Sequence, residues 1–210
     1  MPILESEAII YKETRIQELI NIKEVIDDYL DIILNIRVGG TDFSSKFGLR
    51  RSIDSSIYNI RVVCDCLIDI INMFLRDGQE HVISAPVWEY FSEDIKSKEV
   101  CGLINEIKSD KENGFCGKTI IHPSQIKYVN SVYTVTYEEY IDAKAIIDSY
   151  KDGGVFKGYG GNKMNEVKPH FNWAKKVMNR AEIFGVLKEG ISNEDLYKED
   201  NFSSKSIEVL

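Results

Sequence analysis

Four short strand-like runs, separated by stretches of helical periodicity, constrain this chain more than any other feature. The first is Ile3-Leu4-Glu5, followed by Ala8-Ile9-Ile10. Thr14 with Gln17 three residues later has the spacing of a capping box, and Ile16, Leu19, Ile20, Ile26 and Leu30 then recur as on one helix face. The second run, Ile32 to Val38, ends in Gly39-Gly40, where the backbone is expected to turn tightly. Apolar residues from Ile57 to Leu75 predict one long amphipathic helix closed by Asp77-Gly78. The third run, His81 to Ala85, is stopped by Pro86 and precedes a helix marked by Val100, Leu103, Ile104 and Ile107. The fourth is Gly117 to His122, and beyond it the pattern is helical, with a second capping box at Thr136 and Glu139. A Gly-rich segment, residues 153–161, precedes a last helix carrying Phe171, Trp173, Ala174, Val177, Met178 and Ala181. No further strand of comparable strength is predicted.

Alternating strands and helices imply parallel strands joined by crossovers. A closed barrel needs eight such units and the chain has four. An open four-stranded sheet would begin with its strand at residue 2, which leads to the expectation that something belongs before Met1.

The stretch GFCGKTIIHPSQI (114–126) contains Gly117-Lys118-Thr119, the end of a phosphate-binding loop in other contexts. Such a loop requires a glycine where Glu112 stands and must run directly into a helix, whereas here Ile120-Ile121-His122 leads to Pro123. The segment therefore reads as a strand that delivers His122 at its far end.

A chain of 210 residues that is 43% hydrophobic can bury one sizeable core. Its 26 basic and 34 acidic residues leave a net charge of −8, which argues against nucleic-acid and anionic-membrane partners. No apolar run of about 18 residues is present, and residues 1–20 lack the pattern of a secretion signal, so the expected location is the cytoplasm. Cys64, Cys66, Cys101 and Cys116 have no zinc spacing and are expected to be reduced, mostly buried thiols.

In parallel α/β architectures ligands bind where the strands' carboxyl ends gather. The strand order puts Glu5, Asp42, Trp88, Glu89 and His122 on that face. Glu5 and Asp42 come from consecutive strands, and two hard oxygen ligands suit Mg²⁺; the alternative is a solvated pair of loop carboxylates. Arg50 and Arg51 have the fork geometry to grip a substrate carboxylate, or form a solvated loop pair. Glu89 is a candidate general base or water-orienting group, or a solvent-exposed carboxylate at a helix start. His122 is assigned to turn formation, Lys118 to packing or an ion pair, and Gly114 and Gly117 to a tight turn into the strand. The cluster Lys163, Met164, Asn165, Glu166 and His170 either closes over the mouth of a barrel or docks the last helix.

In series, MPILESEAII, RVGGTDFSSKFGLRR, ISAPVWEYF, GFCGKTIIHPSQIKYVN and TYEEYIDAKAII resemble the carboxy-terminal half of the HpcH/HpaI aldolase and citrate lyase β-subunit family. GLRRSIDSSIYN, APVWEYF and KMNEVKPHFNWAKKVMNRAEIFGV are similar to its branch associated with bacterial tellurite-resistance and stress gene clusters. The resemblance covers about residues 1–190. It implies the second half of a (β/α)₈ TIM-type barrel, four βα units in residues 1–133, with a helical extension over 134–195; the polar residues 196–210 are expected to form a frayed tail. It also implies Mg²⁺-dependent carbon–carbon bond cleavage or formation on oxo acids or acyl-CoA esters, with Glu5 and Asp42 as the metal ligands. Half a barrel leaves two strand edges unpaired, so the further expectation is an amino-terminal half-barrel partner or self-association. The rival expectation is a noncatalytic assembly or regulatory module.

Overall fold

A computed structural model describes residues 1–76, 78, 81–198 and 207–208. The chain divides into two compact units, Met1–Val129 and Asn130–Leu210.

The first unit is built on four parallel strands in the order β1 (Ile3–Leu4), β2 (Ile36–Val38), β3 (Ile83–Ala85) and β4 (Gly117–Lys118). Leu4 stands opposite Val38, Arg37 opposite Ser84, and Ser84 opposite Gly117. Successive side chains on a strand point to opposite faces. Leu4, Ile36, Val38, Ile83 and Ala85 accordingly bury against the helices, whereas Ile3 and Arg37 face the other way and are more exposed. Between β1 and β2 lie α1 (Glu7–Ile10) and α2 (Lys12–Asp28); α3 (Gly40–Lys46) and α4 (Arg61–Phe74) follow β2, and α5 (Lys98–Glu112) follows β3. Val63, Cys66, Leu67, Ile70 and Phe74 recur at helical spacing on α4 and fill the core with Ile9, Ile10, Leu19 and Phe43. Each such fully buried large side chain contributes about 1.5–3 kcal/mol.

One buried guanidinium sets the position of the short helix α1. Arg15 donates to the carbonyls of Ile9 (2.7 Å) and Ile10 (2.8 Å), and reaches Asp65 and Asp69 of α4 at 2.8 Å each. It satisfies acceptors that a helix end leaves open and fastens α1 and α2 to α4.

Several local expectations change for identifiable reasons. The first long helix starts at Lys12 with Tyr11 as an uncapped N-cap, because Thr14 Oγ1 instead donates back to the Ala8 carbonyl at 2.7 Å. The strand before Gly39 covers only Ile36–Val38, after a 3₁₀ turn at Leu30–Ile32. The helix predicted from Ile57 is a 3₁₀ turn over Ile57–Asn59, opened by a Ser56/Asn59 capping box, and then α4. Asp77 of its predicted stop lies outside the described residues. β4 is two residues long because the Ile121 and His122 amides turn to Gln125 Oε1, at 2.9 and 3.3 Å. Gly114, at φ 95°, makes the turn after α5; Gly117 has no positive φ and faces the sheet. Cys66 is buried and Cys64 half-buried, but Cys101 and Cys116 are exposed; all four thiols are free.

The unit boundary falls within α6 (Ile126–Tyr133). In the second unit α7 (Tyr137–Asp148) begins with the expected Thr136/Glu139 capping box. The Gly-rich segment forms an antiparallel hairpin of β5 (Val155–Lys157) and β6 (Met164–Glu166), a pairing that periodicity did not predict. Asp142 of α7 anchors it, accepting from the Tyr159 amide (2.7 Å) and Asn165 Nδ2 (2.9 Å) and pairing with Lys163 (2.8 Å). The 163–166 cluster is thus docked on a helix. The helix α8 (Val167–Phe184) packs on α7 through Ala174, Val177 and Ala181 against Ala143 and Ile146. After β7 (Val186–Leu187) comes α9 (Asn193–Lys198), in which Leu196 and Tyr197 are buried, and β8 (Ile207–Glu208) pairs with β7. The predicted frayed tail therefore does not start at 196; residues 199–206 and 209–210 lie outside the described residues. Among the described residues no helix is long and apolar enough to cross a membrane.

Gly102 of α5 faces the buried Trp88 so closely that an added Cβ would lie 2.4 Å from Trp88 Cζ2. Gly102→Ala is expected to destabilise the first unit by about 1–3 kcal/mol through overpacking. Urea unfolding followed by tryptophan fluorescence measures it, and unchanged stability would show that the indole has room to move.

Candidate active site at the carboxyl ends of the strands

Glu5 and Gly39 are the residues immediately beyond the Leu4–Val38 pair, and the Gly39 amide donates to the Leu4 carbonyl at 3.0 Å. Asp42 lies in the first turn of α3, held over this edge by the buried Phe43 and by Ser44 Oγ donating to the Gly40 carbonyl (2.9 Å). Two glycines make this approach possible. A Cβ on Gly39 would stand 2.8 Å from both Glu5 Cβ and Asp42 Oδ2, and one on Gly40 would stand 2.7 Å from Pro86 Cβ. The two acidic residues thus flank one point that only a missing side chain leaves open. Both are exposed, and among the described residues neither carboxylate has a cation or hydrogen-bond donor of its own. Their oxygens are free for a hard cation, and Mg²⁺ takes one or two protein carboxylates and fills its other positions with water and substrate. No group of three or more Asp, Glu, His or Cys forms a larger candidate metal cluster among the described residues.

The two arginines divide. Arg50 is exposed, whereas Arg51 is buried, and its reading as a substrate clamp is corrected by its surroundings. Its Nη1 donates to Glu106, its Nη2 donates to the Val87 carbonyl (2.7 Å), and its guanidinium lies 4.7 Å from the Trp88 ring centre. Glu89 is half-buried, 3.7 Å from Arg51 Nη2. Gln125 donates to the carbonyls of Trp88 (3.1 Å) and Tyr90 (3.0 Å), fixing the same loop from the other side. His122 takes the expected turn-forming role: Nδ1 accepts from the Ser124 amide (3.2 Å) and the ring stacks on Phe91 at 4.2 Å.

Beneath this loop lies a charge cluster in which Lys118 makes the expected ion pair, with acidic partners, Glu106 and Asp110, that periodicity did not single out. Lys118 Nζ is buried between Glu106 (2.9 Å) and Asp110 (2.8 Å) of α5. Glu106 also meets Arg51 and accepts from the Ile57 amide (2.8 Å), while Asp110 accepts from Tyr58 OH (2.7 Å). Burial opposes ionisation of Glu106, but Lys118, Arg51 and the Ile57 amide outweigh it and hold its pKa below the usual value. Asp110 has fewer compensating partners, and burial, aided by the Glu106 charge, pushes its pKa up to about 6. The signal was present in the sequence: 103, 106, 107 and 110 share one helix face, so Glu106 and Asp110 stand at core positions beside Leu103 and Ile107.

Parallel strands with acidic residues at their carboxyl edge are the arrangement of α/β-barrel enzymes. The chain belongs to the C–C bond lyase family of the TIM-barrel fold, whose model matches residues 1–186. Its sheet, four parallel strands with helices on one face, is half of such a barrel. It is 29% identical over 91 residues to the citrate lyase β subunit of Escherichia coli strain K12, a match spanning 42% of this chain and 30% of that subunit. A citrate lyase structure from Burkholderia xenovorans LB400 superposes with a TM-score of 0.53 at 16% identity, covering 86% of this chain and 52% of that one. CitE of Mycobacterium tuberculosis, solved with magnesium, acetoacetate and coenzyme A, gives 0.49 at 21% identity, covering 70% of this chain and 51% of that one. The chain thus spans about half of each structure and matches less than a third of the curated subunit.

Because Asp110 binds its proton more tightly when folded, its protonation stabilises the fold below pH 3.8, and that contribution is lost as pH rises to about 6. Asp110→Asn removes this titration. The stability of the wild type minus that of the variant is expected to fall between pH 4 and 6 and then level off, as measured by urea unfolding at each pH; a flat difference would overturn the assignment.

Proposed function

We propose that this chain carries the metal-binding half of a Mg²⁺-dependent carbon–carbon lyase or aldolase site of the citrate lyase-like kind, acting in the cytoplasm. The observation that carries the reading is the pair Glu5 and Asp42, set on either side of Gly39 with free oxygens. Glu5 and Asp42 would hold Mg²⁺, which when bound would supply a Lewis acid for the negative charge that develops on a carbonyl oxygen when the neighbouring carbon–carbon bond breaks or forms. Glu5 and Asp42 orient the ion, and Gly39 keeps the space between them clear. Glu89, on the loop after β3, serves as proton acceptor or water-orienting group, and the exposed Arg50 as a cation at the outer rim. The substrate class that fits is a small oxo acid or an acyl-CoA ester. The likeness of APVWEYF and of the segment after Lys163 to the tellurite-resistance branch supports a role in stress response.

Isothermal titration with Mg²⁺ tests the site. Wild-type protein is expected to bind, and Glu5→Gln and Asp42→Asn each to weaken binding at least tenfold. Unchanged affinity in the double variant would sink the assignment.

A second reading, an assembly module completed by another half-barrel, is favoured by the sheet itself: among the described residues β1 and β4 each have one strand neighbour. On this reading a second copy or an amino-terminal half-barrel covers the open edges, and Ile16 and Ile20 of α2, 50% and 36% exposed, lie in the contact. Light scattering of the purified chain is expected to give a dimer or larger species. A compact, stable monomer would remove the need for a partner.

A further inference from the structure

Arg37 is the one charged side chain in β2, and strand alternation turns it away from the core that Ile36 and Val38 enter. It therefore stands on the open face of the sheet. Its Nε donates to Thr119 Oγ1 at 3.3 Å. The strand registers give this contact its meaning. Arg37 lies in the row Ile3, Arg37, Ser84, Gly117, and two residues further along the strands is the row Glu5, Gly39, Pro86, Thr119. Two residues advance about 6.6 Å along a strand. The guanidinium has thus climbed from its own row to the level of Glu5 and Gly39, at the carboxyl edge.

A guanidinium has five N–H donors, and among the described residues one is used. Among the described residues no carboxylate pairs with Arg37. Arg37 is thus half-buried without an acid partner, in a chain whose net charge is −8. The floor beside it is polar: Ser84 Oγ accepts from Asn35 Nδ2 at 2.7 Å, and Asn35 Oδ1 is buried without a donor. Gly117 adds no side chain to that floor, since a Cβ there would meet only Ser84 Oγ, at 3.6 Å. Inward positions of a closed barrel are ordinarily filled by bulky branched residues. Here, beside Ile3, they are Arg37, Ser84 and Gly117, which leave a polar floor with a cation at its upper edge.

We infer that Arg37, aimed by Thr119, binds the carboxylate of a small oxo acid. The inference rests on reading this edge as a substrate site, and it supplies the carboxylate clamp that the buried Arg51 does not. Thr119 holds Nε, which aims the two Nη groups and presents a planar fork to two carboxylate oxygens. Glu5 and Thr119 are three strands apart in register, roughly 14 Å at about 4.8 Å per strand, and Arg37 reaches into that gap from β2. A short oxo acid then lies along the edge with its carboxylate at Arg37 and its carbonyl toward Glu5 and Asp42.

The test uses the full chain, ¹⁵N-labelled, in EDTA so that no metal is bound, titrated with malonate and separately with inorganic phosphate. The Arg37 Nε–H signal, assigned by its loss in Arg37→Lys, is expected to shift saturably with malonate, and Arg37→Lys to weaken malonate binding at least fivefold. Glu5→Gln with Asp42→Asn should leave this shift in place, so failure of the metal reading and failure of this one are separable. If Arg37→Lys does not fold, Thr119→Val, which removes only the Nε acceptor, makes the assignment and should weaken the shift. An Arg37 signal that malonate does not move, or that only phosphate moves, overturns the inference.

Discussion

The buried ammonium of Lys118 is the constraint on which the first unit depends. Removing two carboxylates and two cations from water costs several kcal/mol per ion, and the cost is offset only when each charge finds close partners. Lys118 finds Glu106 and Asp110, Glu106 finds Arg51 and the Ile57 amide, and Asp110 finds Tyr58. Those partners come from β4, α5 and the 51–58 loop, so satisfying the charges fixes three segments relative to one another. A strand of only two residues could not hold its place by ladder hydrogen bonds alone. Trp88, wedged on Gly102 and covered by Arg51, carries the same constraint into the loop after β3.

The charges separate by task. Those that face the helices are paired and dry, and they set the backbone. Those at the carboxyl edge, Glu5, Asp42 and Arg37, are exposed or half-exposed and lack opposite charges among the described residues. Unpaired charge on a rigid edge is available to a ligand, whereas paired charge under it is not. The edge owes its rigidity to the layer beneath, to Arg15 under α1 and to the glycines that let α3 close over Pro86. The second unit uses the same device on a smaller scale, where Asp142 gathers Tyr159, Lys163 and Asn165 and turns a Gly-rich stretch into an ordered hairpin.

Much of this was legible beforehand. The four strands, the long helices, the Thr136 cap and the placing of Glu5 and Asp42 at one edge all follow from periodicity, turn residues and strand order. Two expectations fail on polar side chains whose partners periodicity does not reveal: Thr14 bonds back to Ala8 instead of capping α2, and Arg51 meets Glu106 instead of facing a substrate. The β5–β6 hairpin was invisible because its strands are three residues long and its stability comes from Asp142, not from an apolar pattern.

What the sequence determined by itself was therefore local and periodic: which segments become strands and helices, where glycine permits a turn, and that successive strand ends would collect on one face. Tertiary structure decided which charges are spent. Arg37, Arg50 and Arg51 are chemically alike, and only the register of β2 and the packing of Trp88 leave the first half-open, the second in solvent and the third sealed against Glu106. The physical reason is that an ion's role depends on its desolvation and its nearest opposite charge, and both are properties of the folded neighbourhood.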